Sequence, residues 1–118
     1  MANVATVAEV VAQAKLAANE FDGPIKRGTA VQQPSPELVQ SIADMGTKQT
    51  DILDAAEQQI LDNPAFDAAL SALKTATENL NKTAQVMTNA TAIVNKVNSL
   101  LGFGTDAVGA IQTVFKPK

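Results

Sequence analysis

From Phe66 to Leu101 one residue pattern never slips. Phe66, Leu70, Leu73, Thr77, Leu80, Ala84, Met87, Thr91, Val94, Asn98 and Leu101 follow one another in alternating steps of three and four. That rhythm lines all of them along one stripe of an α-helix, and five heptads of it make a coiled-coil-like seam. The spacing predicts one helix over 64–101, about 57 Å long at 1.5 Å per residue. Its other face is polar: Asp67, Ser71, Lys74, Glu78, Lys82, Gln85, Asn89 and Lys96, with Glu78 and Lys82 a favourable (i, i+4) pair.

A rod of that length needs something to cover its apolar stripe. The rest of the chain offers three more amphipathic segments. Val4, Val7, Val11, Ala14, Ala18 and Phe21 predict a helix over 4–21, with Asn3 or a Thr6–Glu9 capping box at its start and Asp22-Gly23-Pro24 as its stop. Residues 22–35 carry two Gly and two Pro without a period and read as a long loop. Ser35, Pro36 and Glu37 supply an N-cap, a first-turn proline and an acid at the positive end of the dipole. They open a helix over 36–62 whose apolar stripe is Leu38, Ile42, Met45, Ile52, Ala56 and Ile60, with Gln49 inside it. Gly46-Thr47 is its weak point, since an interior glycine costs about 1 kcal/mol relative to alanine. Asn63 and Pro64 repeat the cap-and-proline start for the 64–101 helix. Gly102 and Gly104 read as its stop, and Thr105 or Asp106 as the cap of a short helix over 106–115 that carries Val108, Ile111 and Phe115.

The expected fold is therefore all-α: a single helical domain, a three- to four-helix bundle built on a long antiparallel coiled-coil-like hairpin. The 36–62 helix is shorter than its partner, so the hairpin leaves the stretch from Val94 to Leu101 uncovered. That places Val94, Val97, Asn98, Leu100 and Leu101 at an interface, with Phe103, Ile111 and Phe115 as a tail contact. Polar residues within the stripes (Gln49, Thr77, Thr91 and Asn98) either fix register or mark the wet end of the bundle.

Composition removes most chemistry. The 118 residues include no Cys, His, Trp or Tyr. Disulfide scaffolds, Cys/His zinc sites and triads built on His or Cys are excluded. Asp51, Asp54, Glu57 and Asp62 fall on the solvent side of their stripe and read as a solvated helix face. Ser71-Ala-Leu-Lys74 matches a Ser-x-x-Lys pattern but lacks companion motifs. Asn81-Lys-Thr83 and Asn89-Ala-Thr91 match the glycosylation acceptor pattern, within a helix rather than a loop. Lys26-Arg27 is a basic pair in the expected surface loop. No enzyme, cofactor or metal is expected. A net charge of -3 argues against a nucleic-acid partner.

The expected function is that of a non-enzymatic interaction module, its partner itself or another helical protein. Two alternatives stand beside it. Residues 100–115, rich in Gly, Ala and Phe with Asp106 as the one charge, suit a membrane-active protein that meets a bilayer surface. The alanine-rich flanks of the seam, Ala65, Ala69, Ala72 and Ala76, leave room between helices for an apolar ligand. The start of the chain shows no basic region before an apolar stretch, so no signal peptide is expected there. Low charge and many amide side chains lean towards an extracellular setting.

Overall fold

Five helices form among the described residues. The computed structural model describes residues 6–61 and 64–116. Helix α1 (Val7–Asn19) is capped by Thr6, whose hydroxyl accepts from the backbone N–H of Glu9 at 3.3 Å. Val4 and Asn3, expected near this start, lie outside the described residues. Helix α2 (Asp22–Thr29) follows almost at once. The Asp22-Gly23-Pro24 stop does end α1, but Pro24 falls in the first turn of a new helix, where its missing N–H has no bond to lose. The expected 22–35 loop thus shrinks to residues 30–35. Helix α3 (Pro36–Ala55) starts as predicted, with Ser35 Oγ accepting from Leu38 N–H at 3.1 Å. It runs through Gly46 without a break and stops seven residues short of 62.

The 64–101 rod does not exist. It divides into α4 (Phe66–Val86) and α5 (Ala90–Ile111), joined by Met87, Thr88 and Asn89. Asn89 leaves helical geometry and caps α5, its side-chain oxygen accepting from Ala92 N–H at 2.9 Å. Helix α4 begins at Phe66 with Ala65 at its cap; Asn63, the expected cap, lies outside the described residues. Helix α5 passes through Gly102 and Gly104 and absorbs most of the expected 106–115 helix. Beyond it the chain turns, and Phe115 pairs with Ile60 in an isolated antiparallel bridge. Leu61 N–H donates to Val114 O at 2.8 Å and Lys116 N–H to Gln59 O at 2.7 Å.

Folding back at 87–89 covers the apolar surface that a rod would leave bare. The four long helices follow one another around the bundle as α1, α3, α5 and α4, with α1 also touching α5 across the middle. Cross-links give their directions. Gln13 meets Thr77 and Glu20 meets Asn81, so α1 and α4 are parallel. Gln49 meets Ala18 while Gly28 lies against Ile42, so α3 runs the other way. Helix α5, antiparallel to α4, runs alongside α3, with Val94 near Glu37 and Val108 near Asp51. The connection at 56–65 therefore crosses between opposite corners, and α2 packs over α3 and α5.

The core is continuous and almost wholly apolar. Val10, Ala14, Ala17 and Phe21 from α1, and Leu38, Met45 and Ile52 from α3, are fully buried or nearly so. Leu73 and Leu80 from α4, and Ile93, Leu100, Ala107 and Ile111 from α5, join them. Burying one such large aliphatic side chain contributes roughly 1.5–3 kcal/mol. The one buried polar residue among those described, Ser41, donates its hydroxyl to Glu37 O at 2.8 Å. On α5 the buried stripe is Ile93, Val97, Leu100, Gly104, Ala107 and Ile111. It stands one residue away from the expected Val94, Asn98 and Leu101, because the three-residue turn shifts the phase of the seam.

Gly104 is the point of closest approach. A Cβ built there would lie 2.5 Å from Lys48 Cγ and 2.9 Å from the ring carbon Cζ of buried Phe21. Open space surrounds the corresponding positions of Gly102 and Gly109. Gly104→Ala is expected to destabilise by about 1–3 kcal/mol through overpacking, while Gly109→Ala stabilises by roughly 0.5–1 kcal/mol through helix propensity. Urea unfolding followed by far-ultraviolet circular dichroism checks both, and equal effects at the two glycines would refute the close approach. Asn89→Ala, read the same way, should cost about 1 kcal/mol through the lost cap.

Candidate functional site

Polar cross-links account for several residues that the sequence singles out. Thr77 donates to Leu73 O at 2.8 Å and accepts from Gln13 Nε2 at 3.1 Å. Gln49 Nε2 donates to Ala18 O at 2.9 Å and to Asp22 Oδ1 at 2.7 Å. Both therefore fix the register of α1 against its neighbours. Asn81, part of one acceptor pattern, donates to Glu20 Oε2 at 2.9 Å, and Asn89, part of the other, is the α5 cap. Thr91 and Asn98 are exposed once the seam is set in its true phase.

The basic pair separates in role. Arg27 Nε donates to Met87 O at 2.8 Å and its Nη2 to Ala84 O at 2.7 Å. These are carbonyls at the C-terminus of α4, which has no further turn to satisfy them and carries the negative end of the helix dipole. Gly23, one turn earlier on α2, leaves the guanidinium room: a Cβ there would lie 3.1 Å from Nη1.

The carboxylates do not converge. Lys48 Nζ lies 3.8 Å from Asp51 Oδ2, and Asp54 and Glu57 are exposed. Asp62 lies outside the described residues. Among the described residues, no group of three or more Asp or Glu side chains is placed to hold a metal ion. Ser71 and Lys74 are both exposed on α4.

The expected interface residues divide sharply. Val97, Leu100, Ile111 and Phe115 are buried in the protein's own core. The reason for placing them at an interface, an uncovered end of a long helix, does not arise once the rod folds back. Phe103 is half-buried against the core. Val94 and Leu101 are half-buried and Asn98 is exposed, and their spacing sets them on the flank of α5 that faces α3. There Val94 contributes, with Val31, Glu37 and Ala90, to an open groove of about 410 Å³.

Five large aliphatic side chains stand exposed among the described residues: Leu16 on α1, Val39 and Leu53 on α3, Ile60 after it and Val86 on α4, and α3 is the helix that carries two of them. Val39 is 53% exposed and Leu53 37% exposed, and they stand fourteen residues apart on one face. Ala43, Gly46 and Thr50 lie between them in steps of four, three and four. Open space surrounds the missing Cβ of Gly46, and the hydroxyl of Thr50 donates to Gly46 O at 3.1 Å, which leaves its methyl for the surface. Charge gathers on the same helix. Within α3 the acids are Glu37, Asp44, Asp51 and Asp54 against Lys48, four minus one, an excess of three negative charges. Three acids balance three bases on α1 with α2, and three balance three on α4 with α5. The Val39–Gly46–Leu53 spacing is visible in the sequence. It is masked there because attention goes to the stronger inward stripe of the same helix.

No known family matches the chain, and no curated protein or solved structure is significantly similar to it. Among the described residues, no helix is long and apolar enough to cross a membrane.

Arg27→Ala is expected to lower stability by about 1–2 kcal/mol. Arg27→Lys should recover less than half of that, because an ammonium cannot fork between two carbonyls. Thermal unfolding of the two variants checks this, and a lysine variant as stable as the parent would refute the forked cap.

Proposed function

We propose that the protein is a non-enzymatic helical interaction module and that the outward face of α3 is its contact surface. The observation that carries this reading is the stripe Val39, Ala43, Gly46, Thr50 and Leu53. It repeats in heptad fashion on a helix whose inward stripe is already buried. A second apolar stripe on a helix that has already filled its place in the core contributes nothing to the fold. It matches the pattern by which one helix receives another.

A membrane-active role for residues 100–115 is the weaker proposal. Helix α5 carries only Lys96 and Asp106 as charged residues, which favours it. Its large side chains are seated in the core, so it would require the bundle to open. Flotation with liposomes at graded denaturant tests it. An apolar-ligand carrier is weaker again, since the grooves described between helices are open and partly polar.

The interaction reading is tested with the double variant Val39→Glu, Leu53→Glu. Both sites are exposed, so each change should alter stability by less than about 0.5 kcal/mol. Association is measured by sedimentation of the chain alone. Binding is also measured by fluorescence anisotropy with two labelled amphipathic helical peptides, one with lysine flanks and one with glutamate flanks. The parent chain should bind itself or one peptide, and the double variant neither. A parent that binds none of the three overturns the reading.

A further inference from the structure

The junction between α4 and α5 differs from the others in what stops the helix. Pro24, Pro34 and Pro64 stand at or just beyond the other junctions, whereas Met87-Thr88-Asn89 has neither proline nor glycine. Helix α4 also ends without the left-handed residue that commonly closes a helix: its cap, Met87, has φ -88° and ψ 64°. The three-four rhythm runs straight across the gap. What ends α4 comes from elsewhere in the fold, above all the fork of Arg27 on Ala84 O and Met87 O. We infer that residues 87–89 are a hinge and that two copies of the chain exchange α5 through it. The exchange does not use the outward face of α3 and goes beyond the function proposed for that face.

With the hinge straight, α4 and α5 of one chain run on as a single helix over 66–111, about 69 Å long at 1.5 Å per residue. Each α5 then seats in the partner's bundle and makes there the contacts it makes in its own. The two long helices lie side by side, antiparallel, about a twofold axis near Thr88. Within one helix the buried stripes of α4 and α5 are out of step by a residue, and half-buried Ala90 bridges them. Met87, Ala90 and Ile93 follow in steps of three where the stripe calls for a four, a local overwinding that paired helices absorb. Val86, 53% exposed at the end of α4, comes level with the partner's Ala90. Thr6 and Lys116 lie at the far end of the bundle, so neither stands between the two bundles where they abut.

The difference between the closed and exchanged forms is confined to the hinge. Each straightened turn gives up the Asn89 cap and the Arg27 fork. In return, the carbonyls that Arg27 now holds accept from the next turn of a continuous helix. The α5 stripe of Ile93, Val97, Leu100 and Ile111 is buried, so it must leave one core before it seats in another. The two forms therefore interconvert only as the bundle opens, and each persists once formed. Contact through an exposed helix face, by contrast, reverses on dilution.

Refolding from urea at rising chain concentration, followed by gel filtration with light scattering, tests the exchange. A dimer should grow with concentration and survive dilution. Asn89→Ala weakens each closed turn about fivefold, and two turns open per dimer, so the dimer should tighten about 25-fold. Two glycines inserted between Thr88 and Asn89 should abolish it, because a longer link that resists helix closes without strain. Glu37 and Val94 line one groove between α3 and α5, and the chain has no cysteine of its own. Chains with Glu37→Cys and chains with Val94→Cys, refolded together, should be joined by a short bismaleimide into a covalent dimer, and neither should be when refolded alone. An Asn89→Ala chain that stays monomeric at every concentration overturns the exchange, and so does a dimer that the paired cysteines fail to link. The Val39→Glu, Leu53→Glu variant should still form the dimer on refolding, so failure of the α3 surface and failure of the exchange read out separately.

Discussion

The reversal of the chain at Met87, Thr88 and Asn89 is the constraint on which the rest of the structure depends. It converts a would-be rod into two helices that cover each other, and everything else packs on that pair. Three local interactions hold it. Asn89 supplies a cap for the new helix. Met87 fills the corner, fully buried. Arg27 reaches from α2 to take up the carbonyls of Ala84 and Met87 that the ended helix can no longer satisfy. Each meets a need the break itself creates: unsatisfied donors at one terminus, unsatisfied acceptors at the other, and apolar surface between them. The arginine does this from sixty residues away. The short helix that carries it is therefore part of the turn as much as of the N-terminal segment.

The all-helical bundle is legible from apolar spacing, and so are the caps at Thr6 and Ser35, where the sequence pairs a strong N-cap residue with a first-turn acid or proline. The break at 87–89 is not legible, for a physical reason. Met87 belongs to the buried stripe whether the helix continues or ends, so the three-four rhythm carries across the turn undisturbed. On α4 the buried set already favours Ala69 and Ala76 over Leu70 and Thr77, and beyond the turn it moves by one residue to Ile93, Val97 and Leu100. With that shift the polar interruptions at Thr91 and Asn98 leave the seam, and the α5 stripe becomes wholly non-polar. The glycines mislead in the other direction. Gly46 reads as a weak point and Gly102 and Gly104 as stops, yet the helices pass through all three because tertiary packing outweighs about 1 kcal/mol of propensity. Position alone cannot say which glycine makes room for a neighbour; only Gly104 of these three does so inside the molecule.

Helix α3 differs between its two sides. Inward, Leu38, Met45 and Ile52 hold the core. Outward, the same helix gathers the chain's surplus negative charge and a second run of aliphatic and small residues. The other helices, α1 with α2 and α4 with α5, are balanced in charge, although Leu16 on α1 and Val86 on α4 are as exposed as Val39. The outward side of α3 is set apart by its charge, and the core places no demand on it.

The parallel course of α1 and α4, taken with the bridge between Ile60 and Phe115, has an architectural consequence. Helix α1 starts, and helix α5 finishes, towards the same end of the bundle, where the crossing connection from α3 also lies. Polypeptide attached before Val7 and polypeptide attached after Lys116 would therefore leave from one end of the bundle. The opposite end, with α2 and the turn at Met87–Asn89, stays clear of both, as does the length of α3. Such a bundle can be threaded into the loop of another protein, or strung in tandem, without parting its helices, and it then projects from its host like a finger.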